Sequence, residues 1–113
     1  MPIYVTRGRY SAESIKNLVA NPEDRQKAVN KLVEHAGGKL LNFYVTLGRY
    51  DFLTIVEAPS AKEASAFILA AAAAGSVTDV ETTEAFTGSE AKEVFALAGR
   101  AGGKYRLPGK ERS

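Results

Sequence analysis

The sequence has no cysteine, one histidine and no long hydrophobic run, and each absence removes a class of chemistry. Without cysteine there is no disulfide, no thiolate nucleophile and no cysteine-ligated zinc or iron–sulfur centre. His35, the single histidine, has no carboxylate four residues away on either side, so no metal site is expected. The longest apolar stretch, Phe67 to Ala74, is too short to cross a bilayer. Met1-Pro2-Ile3-Tyr4-Val5 lacks the basic segment and apolar run of a signal peptide. A cytoplasmic protein with no membrane partner is the expectation. No nucleophile–base triad, phosphate loop or metal-ligand spacing is present, and the residues leave the cofactor unknown: no haem attachment motif stands in the sequence, and axial ligation by His35 stays open.

What is there reads as one small globular domain. The chain has 113 residues, 45% of them hydrophobic and 25% charged, enough for a single core. A domain of this size buries about two-thirds of its unfolded surface, so a partner subunit adds useful stability. The formal net charge of +2 is unevenly spread. Arg100, Lys104, Arg106, Lys110 and Arg112 against Glu111 give the stretch from Gly99 onward a charge of +4, and the rest carries −2. This divides the chain into a domain over 1–98 and a basic, flexible tail over 99–113. Nucleic acid is not an expected partner: the body is acidic, and in the tail only Tyr105 interleaves with the basic residues.

The order of elements follows from periodicity and caps. Ile3 to Thr6 is a strand ending at Gly8. Ser11 stands where a helix cap would, and Asn21-Pro22 reads as a second N-cap with proline at the first helical position. Ala28, Leu32, Val33 and Ala36 then recur at helical spacing up to Gly37-Gly38, so Ser11 to Ala36 is a broken helical crossover. Leu41, Phe43, Val45 and Leu47 alternate with polar residues, giving a strand with one apolar face. Gly48 marks a hairpin that needs positive φ, and Phe52 to Val56 is the return strand. Ser60 with Glu63 opens an alanine-rich helix closed by Gly75. Val77 to Phe86 is a strand with a mixed, rather polar face. Thr87 with Glu90 opens a last helix that is expected to stop before Gly99. The order β-α-β-β-α-β plus one helix is the α+β, ferredoxin-like pattern. Its four antiparallel strands carry helices on one face only, which makes self-association through the other face, a homodimer or higher, the expected solution.

Tyr4-Val5-Thr6-Arg7-Gly8-Arg9-Tyr10-Ser11 is nearly copied forty positions later as Tyr44-Val45-Thr46-Leu47-Gly48-Arg49-Tyr50-Asp51, with six of eight positions identical. The first copy leads into a helix and the second into a hairpin, so the likeness is of local chemistry and not of a repeated fold unit. Here the chain resembles the GYD domain family, small bacterial proteins named for a Gly, Tyr, Asp signature. The signature stands as Gly48-Arg49-Tyr50-Asp51 between Phe43-Tyr44-Val45-Thr46-Leu47 and Phe52-Leu53-Thr54-Ile55-Val56-Glu57-Ala58-Pro59. The resemblance runs from about Ile3 to Glu90 and includes Arg9-Tyr10 and Asn21-Pro22. It implies a dimeric α/β barrel, an architecture shared by cofactor-independent monooxygenases, haem enzymes and ligand-sensing modules, so the fold does not choose a function.

In a ferredoxin-like sheet the first strand ends at the edge where the second and third strands turn. Arg7, Arg9 and Arg49 would therefore gather there with Tyr10, Tyr50 and Asp51, beside a helix N-terminus that favours anions. One reading is a carboxylate- or phosphate-accepting site. The plainer one is that Asp51 pairs with a nearby arginine, the glycines serve turns and the tyrosines pack. Tyr44, with Asn42, Thr46, Thr54 and Glu57, falls on the sheet, where such residues line a cavity or an interface. His35 reads as a surface cation at a helix C-terminus. The candidate ligand-binding residues are thus Arg9, Tyr10, Tyr44, Arg49, Tyr50 and Asp51, with no catalytic residue assigned. The leading expectation is a homo-oligomeric small-molecule binding or accessory module. The alternative is a cofactor-independent or haem-dependent enzyme using Tyr44, Tyr50, Arg49, Asp51 or His35.

Overall fold

The structure, a computed structural model, describes residues 1–109. Lys110, Glu111, Arg112 and Ser113, the end of the expected basic tail, lie outside the described residues. Four strands, β1 (Ile3–Tyr10), β2 (Lys39–Val45), β3 (Phe52–Glu57) and β4 (Val77–Ala85), form one sheet in the order β2-β3-β1-β4. Every neighbouring pair is antiparallel. Helices α1 (Ala12–Ala20) and α2 (Gln26–His35) connect β1 to β2, and α3 (Ala61–Ala73) connects β3 to β4. A fourth helix, α4 (Gly88–Gly102), follows. This is the ferredoxin-like arrangement. No helix among the described residues is long and apolar enough to cross a membrane.

The core lies between one face of the sheet and helices α2 and α3. Alternation along the central strands sends Tyr4 and Thr6 of β1 and Phe52, Thr54 and Val56 of β3 inward, where they are buried. Val33 of α2 and Ala64, Phe67 and Ile68 of α3 close over them. Fully burying the valine, isoleucine and phenylalanine side chains among them contributes about 1.5–3 kcal/mol each. The two buried threonines keep their hydroxyls paired: Thr6 Oγ1 lies 2.9 Å from Thr82 Oγ1, and Thr54 Oγ1 donates to the Thr6 carbonyl at 3.3 Å.

Helix starts follow side-chain chemistry at three places. The Ser11 hydroxyl accepts from the Ser14 N–H and the Ser60 hydroxyl from the Lys62 N–H, while Thr87 and Glu90 form a reciprocal capping box. Ser60 also donates to the Glu63 carboxylate, which holds that carboxyl below its usual range. The Asn21-Pro22 start is corrected: Asn21 ends α1, and α2 begins at Gln26, whose N–H is taken by Asp24 Oδ1 at 2.9 Å. The residue at the N-cap position of α2 is Arg25, whose side chain makes no capping bond, so the only side-chain help at this start comes from the Asp24 carboxylate just before it.

Two further readings change. The β2–β3 register shifts between Leu40 and Asn42, so Leu41 is an extra residue, and Leu40 and Phe43 turn toward the core. The apolar face is thus not the simple Leu41-Phe43-Val45-Leu47 row, and Leu47 is fully exposed in the hairpin loop. Helix α4 runs through Gly99 to Gly102. A mid-helix glycine costs about 1 kcal/mol, which flanking Ala96, Leu97, Ala98, Arg100 and Ala101, all good helix formers, can offset.

Candidate functional site

Strand β1 ends beside the β2–β3 hairpin, and the two Gly-Arg-Tyr segments meet there through the backbone. The Asp51 N–H donates to the Gly8 carbonyl at 2.8 Å, and the Tyr10 N–H donates to Asp51 Oδ2 at 2.9 Å. Arg9 Nε donates to the Arg49 carbonyl at 2.9 Å. Thr46 closes the hairpin from inside: its N–H binds the Asp51 carbonyl at 2.8 Å and its hydroxyl the Tyr50 carbonyl at 2.7 Å. Among the described residues Asp51 forms no ion pair with an arginine, and its carboxylate holds a backbone N–H instead. Asp51 is therefore a clamp between strand end and hairpin.

The side chains part company across the sheet. Arg7, Arg9, Arg49 and Tyr50 lie on the face away from α2 and α3. The Arg7 guanidinium carbon sits 5.9 Å from the Tyr50 ring centroid, within cation–π range. Tyr50 donates its hydroxyl to Glu81 Oε2 of β4 at 2.7 Å, and that bond holds the phenol pKa above 10.0. Two open recesses flank Tyr50, one of about 220 Å³ including Arg7, Thr46, Arg49 and Leu53, the other of about 420 Å³ including Arg9, Arg49, Asp79 and Glu81. Glu81 and Asp79 offset part of the arginine charge.

Tyr10 points the other way. Its ring meets Phe52 with centroids 5.4 Å apart and lines a cavity of about 200 Å³ between the sheet and helices α2 and α3. Burial pushes its phenol pKa up, the Arg25 guanidinium pulls it down, and the Asp51 charge raises it again. Tyr44 is apart from both groups: it stands 54% exposed on the outer face of β2, where Asn42 Nδ2 donates to its hydroxyl at 3.2 Å. His35 is exposed in the last turn of α2 and lines neither the cavity nor the recesses. Of the five residues placed at the edge beside Arg7, the fold thus sets Arg9, Arg49 and Tyr50 together, uses Asp51 in the backbone joint, and turns Tyr10 inward. Arg25 was not visible as a site residue. It carries no motif, and it lines the Tyr10 cavity from the N-cap position of α2.

The family model for the GYD domain matches residues 4–95, from β1 into α4. The chain belongs to the GYD domain family. A relative from Thermus thermophilus, named as a glutamine synthetase and cystathionine beta-lyase binding protein, is 36% identical over 78 residues, covering 68% of this chain and 81% of that protein. Among solved structures, FFRP-DM1 has 21% identity and a TM-score of 0.47, covering 76% of this chain and 100% of that one. Hypothetical protein PHS023 from Pyrococcus horikoshii has 21% identity and a TM-score of 0.45, covering 77% and 92%. No group of three or more His, Asp or Glu able to hold a metal occurs among the described residues of this GYD domain.

Proposed function

We propose that this GYD domain is a homo-oligomeric binding module, accessory to other proteins and able to hold a small molecule, built by packing two sheets face to face as a dimeric α/β barrel. The observation that carries this is α4. The helix is 15 residues long with a cap at its start, yet none of its residues is buried, and Phe95 is 73% exposed with Leu97 and Val94 also in solvent. Such a helix gains little of its stability from its own protomer. The outer sheet face adds a second, partly exposed apolar stripe, Ile3 and Val5 of β1 with Leu53 and Ile55 of β3, in which Val5 pairs directly with Ile55. Two copies facing each other would cover this stripe and let each α4 lie along the other protomer. The Thermus relative's name as a binding protein supports the accessory role.

Native mass spectrometry and light scattering of the full chain test this reading, with a dimer or larger assembly expected. A clean monomer at micromolar concentration would overturn it. Removing residues 88–113 should weaken assembly while leaving the sheet folded, since α4 contributes nothing to the core.

A further inference from the structure

The cavity on the helix side of the sheet has an unusual polar feature. The Tyr10 hydroxyl oxygen is buried yet has no hydrogen-bond partner, although most buried side-chain polar atoms find one. Around it the walls are apolar, chiefly Phe43, Phe52, Phe67, Val29 and Leu32. The polar rim is narrow: Tyr10, Arg25 and Ser76 belong both to this cavity and to an adjoining polar recess that includes Asn17 and Glu23. Arg25 is tied only loosely. Its contact with Glu23 is a partly exposed one at 3.5 Å, the one ion pair it makes among the described residues, and a guanidinium carries five N–H donors.

We propose that this cavity binds a small amphipathic carboxylate, its apolar body against the phenylalanines and its carboxylate at the rim between the Tyr10 hydroxyl and the Arg25 guanidinium. The volume sets the size class. A dry apolar cavity of about 150 Å³ holds a benzene ring, so about 200 Å³ suits one ring or a short branched chain, and excludes a nucleotide or a long acyl chain. The rim sets the charge: Tyr10 and Arg25 both line it, and a carboxylate can accept from a phenol and a guanidinium together, whereas an ammonium would face a guanidinium. A bound carboxylate would also give the Tyr10 hydroxyl the partner it lacks. The proposal deepens the small-molecule part of the proposed function and rests on it. Its site lies across the sheet from the face assigned to self-association, so titration and light scattering can fail separately.

Protein-observed NMR on the full chain, titrated with benzoate and with benzyl alcohol as its neutral match, provides the test. Benzoate should give saturable shifts at Val29, Ala71 and Val77, and benzyl alcohol should bind about tenfold more weakly. Tyr10→Phe should weaken benzoate by about tenfold without lowering the melting temperature, because no protein partner is lost. Arg25→Gln should remove the preference for benzoate over benzyl alcohol. Ala71→Leu fills the cavity from α3 and should abolish binding; Ala28→Leu, at the exposed mouth on α2, does the same without touching the core. Absence of saturable shifts with benzoate overturns the proposal. So does equal affinity for the two probes, or undiminished binding in the folded Ala28→Leu protein.

Discussion

Tyr4–Ser11 and Tyr44–Asp51 share six of eight residues, yet almost every shared residue does something different in the two places. Tyr4 is a core residue at 4% exposure, whereas Tyr44 stands in solvent on an edge strand. Gly8 lies in a central strand with an ordinary φ, and a Cβ there would sit 2.8 Å from Phe52 Cζ and 3.0 Å from Val80 Cγ1. Gly48 has φ +135° and open space around it. One glycine is needed for room and the other for backbone freedom. Tyr10 turns inward to a cavity, and Tyr50 turns outward to Glu81. Identity at six of eight positions therefore fixed neither face nor role. Position in the sheet did, because a central strand is packed on both sides by neighbours and a hairpin is not.

Substitution by size separates the two glycines most sharply. Gly8→Val should be the most damaging change, about 3 kcal/mol, because the Phe52 ring it meets is itself buried; Gly8→Ala should cost less. At Gly48 the loss should be about 2 kcal/mol for alanine and should hardly grow with a larger side chain, since the cost lies in φ. Chemical denaturation of the four variants checks the contrast, and a size dependence at Gly48 equal to that at Gly8 would erase it. Asp51→Ala should come next at about 1 kcal/mol, because the Tyr10 N–H loses its acceptor. Asp51→Asn, which keeps an acceptor oxygen, should recover most of this.

Tyr50→Phe should have the smallest effect, read by alkaline titration and not by melting. The Glu81 bond raises the phenol pKa above 10.0, so its share of stability is present below pH 10 and is lost as pH rises through the raised value. An ultraviolet titration should therefore lose a late-ionising phenol in the variant. If the late phase persists unchanged, Tyr10 and Tyr4, whose phenols are also raised, account for it and Tyr50 does not.

Much of the fold was legible from residues that act locally. Ser11, Ser60 and Thr87 cap helices where the sequence puts them, and Gly48 and Gly75 take positive φ where turns demand it. What escaped depends on distant partners. The extra residue at Leu41 is a single insertion that alternation alone cannot register, because Leu40 and Leu41 are equally apolar. A second register shift, between Arg7 and Arg9 opposite β4, accompanies Asp79 at φ 51°, and no glycine announced it. The convergence of Arg9, Arg49 and Tyr50 could be drawn from topology, but the turning of Tyr10 to the opposite face needed strand parity counted from Tyr4. The standing apart of α4 was not legible at all, since an amphipathic pattern records that a helix has an apolar side and not which molecule covers it.

The order β2-β3-β1-β4 also constrains how the chain acquires its structure. The strand made first, β1, takes both its partners from late in the sequence: Ile3 pairs with Glu57 on one side and with Ala85 on the other. During synthesis its apolar residues Ile3, Tyr4 and Val5 must therefore wait, with both edges open, until most of the protein has been made. Loops this long close slowly, and an unpaired hydrophobic strand in the meantime is a target for aggregation. Folding yield should thus respond more to changes in Ile3–Val5 than equilibrium stability does.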